Sequence, residues 1–487
     1  MPNSLAYLML MIWPAVCVVL FLRLPLERAI VWSILGGYLV LPQRTEFDLP
    51  LVPAMDKYSI PSISAFAICV LLMRRKVPLW PQSVTGRVLT LMFVLGAIPT
   101  VLTNGDAMVF TSIQSSEPIV FINDRLPGLG LRDLFSVLSQ QMIVLLPFLI
   151  ARQYLSSDTG LREVLLALVV GGLVYSVPSL VEIRLSPQIN VWVYGFFQHD
   201  FEQMMRGGGF RPIVFLRHGL WLAFFMMTAM LAAGAMARTL EGSARVRFGL
   251  AMIYLFAVLY LCKSLASLVY GIAFAPVVLL AGPRLQVRLA IMVAIVAVIY
   301  PMLRNGGLIP TEAILEQARL INPERAESLA FRLNNEELLL ERAAEKPWFG
   351  WGGWGRNLVH DLETGEILTI PDGRWIIAFG AFGWVGYLAE MGLLALPLLL
   401  VGHRIFRLNE REISPYVAPI AIILAANMID MLLNATLVPY TWLCAGAVLG
   451  YGECLYRDGR APGAREPLRD GPVIGGRRVR NGRRTIL

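Results

Sequence analysis

The sequence predicts an all-α polytopic integral membrane protein, with about 12–13 transmembrane helices and a large external loop containing short helices. Composition, hydropathy and patterning each point there. Of 487 residues, 56% are hydrophobic and 16% are charged, where soluble domains carry about a quarter charged residues. Mean hydropathy is +0.63. The apolar residues fall in repeated continuous runs near the roughly 17–25 residues that a bilayer core demands of a helix. A transmembrane β-barrel is excluded, because its strands would alternate in polarity.

The runs fall at 4–22, 29–42, 60–73, 87–103, 134–151, 163–182, 213–236, 247–262, 265–281, 287–303, 376–402, 414–432 and 436–453. The first lacks a basic region before it and reads as a retained helix, not a cleaved signal. The run at 29–42 is short enough to be re-entrant. Lys and Arg mark every second loop: Arg23 and Arg28, then Arg74–Lys76 and Arg87, Arg152 and Arg162, Arg238–Arg247, Arg284 and Arg288, and Arg404–Arg411. Positive residues in short loops mark the cytoplasmic side. The N-terminus is therefore expected outside and the C-terminus in the cytoplasm. From Arg457 onward nine arginines face Asp458, Glu466 and Asp470. Such a tail reads as disordered and lying against an anionic leaflet, which accounts for most of the net charge of +8 without nucleic acid.

Five regions follow: N-terminal helices at 1–182 with an external loop at 104–133; an external Gly/Arg loop and further helices at 183–303; a large external loop at 304–375; C-terminal helices at 376–453; and the basic tail at 454–487. In the largest loop, INPER supplies a helix start, with Asn322 as N-cap and Pro323 in the first turn. Arg325–Glu345 reads as a surface helix with Leu329, Leu333 and Leu340 near one face. Pro347 ends it. KPWFGWGGWG, residues 346–355, follows as an irregular external segment.

Polar chemistry crowds the predicted external face. Of four histidines, His199, His218 and His360 lie there. The stretch 199–221 gathers His199, Asp200, Glu202, Arg206, Arg211, Arg217 and His218 around Gly207–Gly209. Arg217 at the start of an apolar run either snorkels to the interface or joins other guanidinium groups on an anion, whose oxygens suit the planar fork of arginine. The third loop holds 8 basic against 12 acidic residues from Arg304 to Arg374, so any arginine role in it is specific. Arg332 and Arg374 are the candidates there, with a surface ion pair as the plainer alternative. Within the runs, Asp430 sits with Asn427 and Asn434 and reads as an interhelical hydrogen-bond anchor or a proton relay. Gln140, Gln141 and Lys263 are further polar positions near or inside runs. The five cysteines read as small core residues. No Walker A, HExxH or GxSxG signature is present and no spacing suits a metal, so neither metal nor cofactor is expected.

RPIVFLRHGL at 211–220, RLNNEELLLERAAEKPWFGWGGWG at 332–355 and DGRWIIAFGAFGWVGYLAEMGLL at 372–394 together resemble the O-antigen ligase and O-antigen polymerase superfamily. The resemblance covers roughly 190–400. It implies a metal-independent glycosyltransferase of the bacterial inner membrane. Its donor would be an oligosaccharide on undecaprenyl diphosphate, used on the periplasmic face and transferred to a glycan acceptor. Polysaccharide export and chain-length proteins would be partners, besides membrane lipids. It implies diphosphate binding by Arg206, Arg211, Arg217, Arg332 and Arg374. The acceptor proton would go to Asp372, His218, His360 or His199. Where ligases commonly carry His-Asn, this sequence reads Asp372-Gly373-Arg374, which points to a repeat-unit polymerase of exopolysaccharide or O-antigen. Ligase-type transfer to a lipid or protein acceptor is the alternative, and a lipid-linked sugar transporter is the alternative of another class. Trp348, Trp351, Trp354 and Trp375 are candidate sugar platforms or interfacial anchors, and the adjoining glycines permit tight turns.

Overall fold

The computed structural model describes residues 1–48, 53–116, 119–406, 408 and 412–458. The tail expected to be disordered lies outside the described residues from 459 onward. In chain order the helices are α1 (Ser4–Arg23), α2 (Leu26–Val40), α3 (Ser59–Ala67, continued by a π-turn at Ile68–Leu72), α4 (Val84–Leu95), α5 (Ala97–Leu102), α6 (Leu131–Tyr154), α7 (Asp158–Leu185), α8 (Ile189–Tyr194), α9 (Gly219–Thr239), α10 (Gly242–Leu261), α11 (Leu265–Leu280), α12 (Pro283–Asn305), α13 (Thr311–Ile321), α14 (Pro323–Ala344), α15 (Arg374–Ile405), α16 (Val417–Asp430) and α17 (Pro439–Asp458). Two antiparallel hairpins are added, β1 (Met108–Ser116) with β2 (Ile119–Leu126), and β3 (Met205–Arg206) with β4 (Gly209–Phe210).

The protein is helical and membrane-embedded in character. Among the described residues, eight helical segments are long and apolar enough to cross a bilayer. Each apolar run of the sequence carries a helix, but several fall short. Helices of 14–16 residues such as α2, α11 and α16 rise only about 21–24 Å, less than a hydrocarbon core of roughly 30 Å. The run expected at 213–236 becomes helical only at Gly219.

Packing follows side-chain size. α9 is rich in Ala, Gly and Met and lies among α7, α10, α11 and α16. It is enclosed by protein along most of its length, whereas α10 turns Leu250, Ile253 and Tyr260 outward. Close approach of helices through small residues is how membrane bundles gain dispersion contacts. α17 shows it most directly. Gly446 and Gly450, one turn apart, lie against the backbone of Phe148 and Arg152 on α6, and a Cβ at either position would come within 2.2 Å or 2.0 Å of a carbonyl oxygen.

The alternation of basic loops is reproduced in space. Arg28 pairs with Glu163 at 2.9 Å. Arg152 donates to the carbonyls of Pro78 and Trp80, Arg238 to those of Val278 and Ala281, and Arg284 to that of Leu408. The loops expected on the other side meet one another as well. Arg356 donates to the carbonyls of Pro127 and Asp106 at 2.9 and 3.0 Å, and Phe110 of β1 lies 5.2 Å from the His360 ring. The loop at 104–133, read from the sequence only as an external loop, forms the β1–β2 hairpin, with Met108 opposite Leu126 and Phe110 opposite Asp124. Its Val, Phe, Ile and Thr residues favour extended backbone.

Candidate functional site

The site is built on a stretch that is neither helix nor strand. Ile213, Val214 and Leu216 are fully buried although residues 211–218 have no regular structure. Irregular backbone tolerates burial only when its polar groups find partners. Side chains supply them here. Glu182, near the end of α7, accepts from the amides of Ile189, Ile213 and Val214 at 3.0, 2.7 and 2.8 Å. Tyr175 accepts from the Phe215 amide at 3.0 Å. Gln198 donates to the Val214 and Leu216 carbonyls, and Lys57 donates to the Phe215 carbonyl at 2.7 Å. Glu182 and Lys57 went unnoticed in the sequence, since nothing in a linear pattern shows which distant side chain will serve a loop.

This stretch delivers Arg211 and His218 to the head of α9. His218 is the N-cap, its Nδ1 accepting from the Leu220 amide at 2.9 Å. The His199 ring stands 4.4 Å away, edge to face, and its Nδ1 accepts from the Asp200 amide at 2.7 Å. With Nδ1 accepting, the proton of each neutral ring sits on Nε2. Both rings therefore offer a donor, and their lone pairs are engaged. Burial, His199 and the charges of Arg211, Arg332 and Arg206 push His218 down to about 2. Burial foremost also lowers His199, against the opposing effect of the Asp200 contact.

Three arginines thus share one field around His218. Arg211 is buried, donates to the Lys263 carbonyl at 3.1 Å and packs its methylenes on Gly219. Lys263 in turn donates to the Arg206 and Gly207 carbonyls at 2.8 and 3.2 Å, fixing the β3–β4 hairpin. Arg332 arrives from α14. Its Nε lies 3.4 Å from Asp372 Oδ2, and Nη1 reaches Asn434 Oδ1 at 3.4 Å. Asn434 and Thr436 donate to Asp430 at 2.9 and 2.6 Å. Asp430 is in this arrangement a hydrogen-bond anchor for the turn beneath Arg332. One helical turn beyond Arg332, buried Glu336 accepts from Tyr300, Arg304 and Trp375 at 3.0, 2.9 and 3.3 Å. That clamp fixes α14 to α12 and α15. Burial raises Asp372 above the usual aspartate range, against the lowering effect of Arg332.

Of the remaining candidates, Arg217 bears on His199 through its charge, and the others are engaged elsewhere. Arg374 is held by Glu390, with Nε donating to Oε1 at 2.8 Å. Arg217 stacks over Trp221 at 5.9 Å and faces a separate small cavity. His360 turns Nδ1 and Nε2 toward the carbonyls of Gly365 and Gly355 at 3.1 and 2.8 Å, leaving no ring nitrogen directed at open space. Trp375 is fully buried. Trp351 donates to the Arg342 carbonyl at 2.8 Å, with Arg342 and Lys346 over its ring at 3.3 and 4.3 Å. These two indoles are structural in this arrangement. Trp348 and Trp354 are exposed.

KPWFGWGGWG docks onto a break in α15. Gly383 has φ 62° and interrupts the helix. The Trp351 and Gly352 amides donate to the Gly380 and Ala381 carbonyls, both at 2.9 Å. The Trp384 and Val385 amides donate to the Pro347 and Trp348 carbonyls at 2.8 and 3.2 Å. The irregular segment thus satisfies the four backbone groups that the break exposes. A Cβ on Gly350 would lie 2.5 Å from the Ala381 carbonyl carbon, and one on Gly383 would lie 2.3 Å from that of Trp348. Glycines are required because two backbones touch.

A cavity of about 800 Å³ opens beside this interlock and not at the arginine cluster. Trp354 and Arg374 line it with Glu46, Arg132, Gln140 and Gln141. The size is in the range of small-molecule sites, but its walls contain none of Arg206, Arg211, Arg332 or His218. The cluster and the cavity are joined through neighbours, since Asp372 and Arg374 are two residues apart. In comparisons with protein-family models and with curated proteins, nothing matches this chain.

Proposed function

We propose that the protein is a membrane glycosyltransferase that polymerises oligosaccharide repeat units carried on undecaprenyl diphosphate, on the periplasmic face of a bacterial inner membrane. The observation that carries the reading is Arg211 packed on Gly219 beside the N-cap His218 at the head of α9, with Arg332 3.4 Å from Asp372 and the charges of Arg206, Arg211 and Arg332 all bearing on His218. Cations and imidazole N–H donors suit a diphosphate, whose negative charge grows as it leaves. The acceptor hydroxyl attacks the anomeric carbon. A glycosidic C–O bond forms, the C–O bond to the diphosphate breaks, the proton passes to Asp372, and the lipid diphosphate departs. Attack opposite the leaving group inverts the anomeric centre. The exposed Trp348 and Trp354 offer faces for sugar stacking.

The test is to incubate purified protein with a lipid-diphosphate-linked repeat unit from its own host and read product lengths by mass spectrometry. A ladder of multiples, abolished in Arg211→Ala, supports the polymerase. A single transfer to another acceptor means ligase-type chemistry. The broken α15 beside a polar cavity is a feature that a transporter would also use. Movement of labelled lipid across a liposome bilayer without bond formation would sink the glycosyltransferase reading.

A further inference from the structure

We propose that a second, smaller cavity is a phosphate-binding site, formed by Arg44, Lys57 and Arg217 and lined by none of Arg206, Arg211 and Arg332. The cavity measures about 190 Å³ and lies where the segment 42–46 meets Asp56, Lys57 and Arg217. Lys57 is 1% exposed. Its ammonium group has three N–H donors, and among the described residues one acceptor is matched to them, the Phe215 carbonyl at 2.7 Å. The Tyr38 ring, 5.8 Å from Nζ, adds a weak cation–π contact. A buried ammonium so sparsely bonded is costly unless something else solvates it.

The acids of the cavity do not serve that purpose. Asp56 Oδ1 is taken by the amides of Tyr58 and Ser59 and by the Ser59 hydroxyl, at 2.9, 2.8 and 2.9 Å. Glu46 is exposed and also faces the larger cavity. Among the described residues, neither lies within ion-pair distance of Arg44, Lys57 or Arg217. Arg44 adds an independent sign. Its φ of 53° puts a long side chain in the left-handed region, and such strain concentrates at functional sites. Three cationic residues, the exposed Arg44 and Arg217 and the buried Lys57, thus line one small cavity with Glu46 and Asp56 and, among the described residues, form no ion pair with either carboxylate. A tetrahedral anion with several oxygens fits that chemistry. The group could belong to a lipid headgroup or to phosphate in solution. The proposal stands on this cavity and does not need the glycosyltransferase reading.

The test is binding of inorganic pyrophosphate to the full chain in detergent, followed by calorimetry. Arg44→Asn removes the charge with a residue that accepts the left-handed conformation, and Lys57→Met removes the buried ammonium. Each is expected to weaken one class of site at least tenfold, while Arg211→Ala leaves that class in place. Unchanged affinity in Arg44→Asn and in folded Lys57→Met would overturn the proposal, as would loss of all binding in Arg211→Ala alone. Should Lys57→Met fail to fold, Arg44→Asn decides by itself. Repeating the titration of Arg211→Ala in nanodiscs with undecaprenyl phosphate separates the sources. Competition by the lipid identifies a headgroup, and its absence identifies phosphate in solution. If polymer formation survives Arg211→Ala while the second site still binds, the Arg211 role fails and the new site stands.

Discussion

Asp372 and Arg332 meet at 3.4 Å across the junction between α14 and the entry to α15, and each is partly exposed. The pair joins a group able to take a proton to a group able to hold an anion. Asp372→Asn keeps the shape and removes the base. It is expected to lower the transfer rate about 10²–10⁴-fold, with little change in thermal stability, because an exposed pair contributes only about 0–1 kcal/mol. Activity should also fall as pH drops through the raised pKa of Asp372, since protonation removes its lone pair. Rates of the wild type and Asp372→Asn across pH check both points. An unchanged rate in Asp372→Asn rules out this base.

The tryptophans should divide into two pairs. Trp348 and Trp354 are exposed, whereas Trp375 is buried and Trp351 is capped by two cations. Trp354 has φ 56°, so Trp354→Gly relieves strain of about 1–2 kcal/mol while removing an indole from the cavity wall. Trp348→Ala and Trp354→Gly are expected to weaken glycan use without lowering the melting temperature. Trp375→Ala should cost about 3–5 kcal/mol as a buried aromatic truncation. Parallel unfolding and turnover measurements distinguish them, and loss of stability in Trp354→Gly would contradict the assignment.

Much of this arrangement is legible in the sequence, for physical reasons. The apolar runs and alternating basic loops follow from what a bilayer tolerates, so the helices and the pairing of loops at each end could be read directly. Asn322-Pro323 marks the start of α14 because capping is local. The arginines of 199–221 and 332 could be named as a group, but not sorted. Arg374 is claimed by Glu390, sixteen residues on, and Arg217 by Trp221 and another cavity. Those outcomes depend on tertiary neighbours. The break at Gly383 was hidden because GAFGWVG has the same apolar composition as a continuous helix, and its partner lies more than thirty residues upstream.

The interlock itself makes a prediction. Gly383→Ala and Gly350→Ala each put a Cβ into a backbone at 2.3 and 2.5 Å, at φ 62° and 67°. The left-handed conformation alone costs about 1–2 kcal/mol, and lost docking adds to it. Gly353→Ala is the control, since nothing lies within 4 Å of its Cβ position. Both interlock variants should melt lower than Gly353→Ala in the same detergent. Equal melting of all three would mean that the segment does not hold the break together.

Lys57 gives the last prediction its sign. Burial pushes its ammonium down to about 7, against a raising effect from Asp56. Between pH 7 and the usual lysine value of 10.5, the unfolded chain holds a proton that the folded chain has released. Stability without anion should therefore rise with pH across that window. A bound anion reverses the preference by favouring the charged form. Sulfate is the suitable probe, because its own charge does not change in this range. Arg44, Arg217, Glu46 and Asp56 line the same cavity, and the Tyr38 ring lies 5.8 Å from the ammonium. Sulfate affinity should therefore weaken as pH rises through about 7 in the wild type, and lose that dependence in Lys57→Met. Calorimetric titrations on either side of that pH check it. A pH-independent affinity in the wild type would place the sulfate elsewhere.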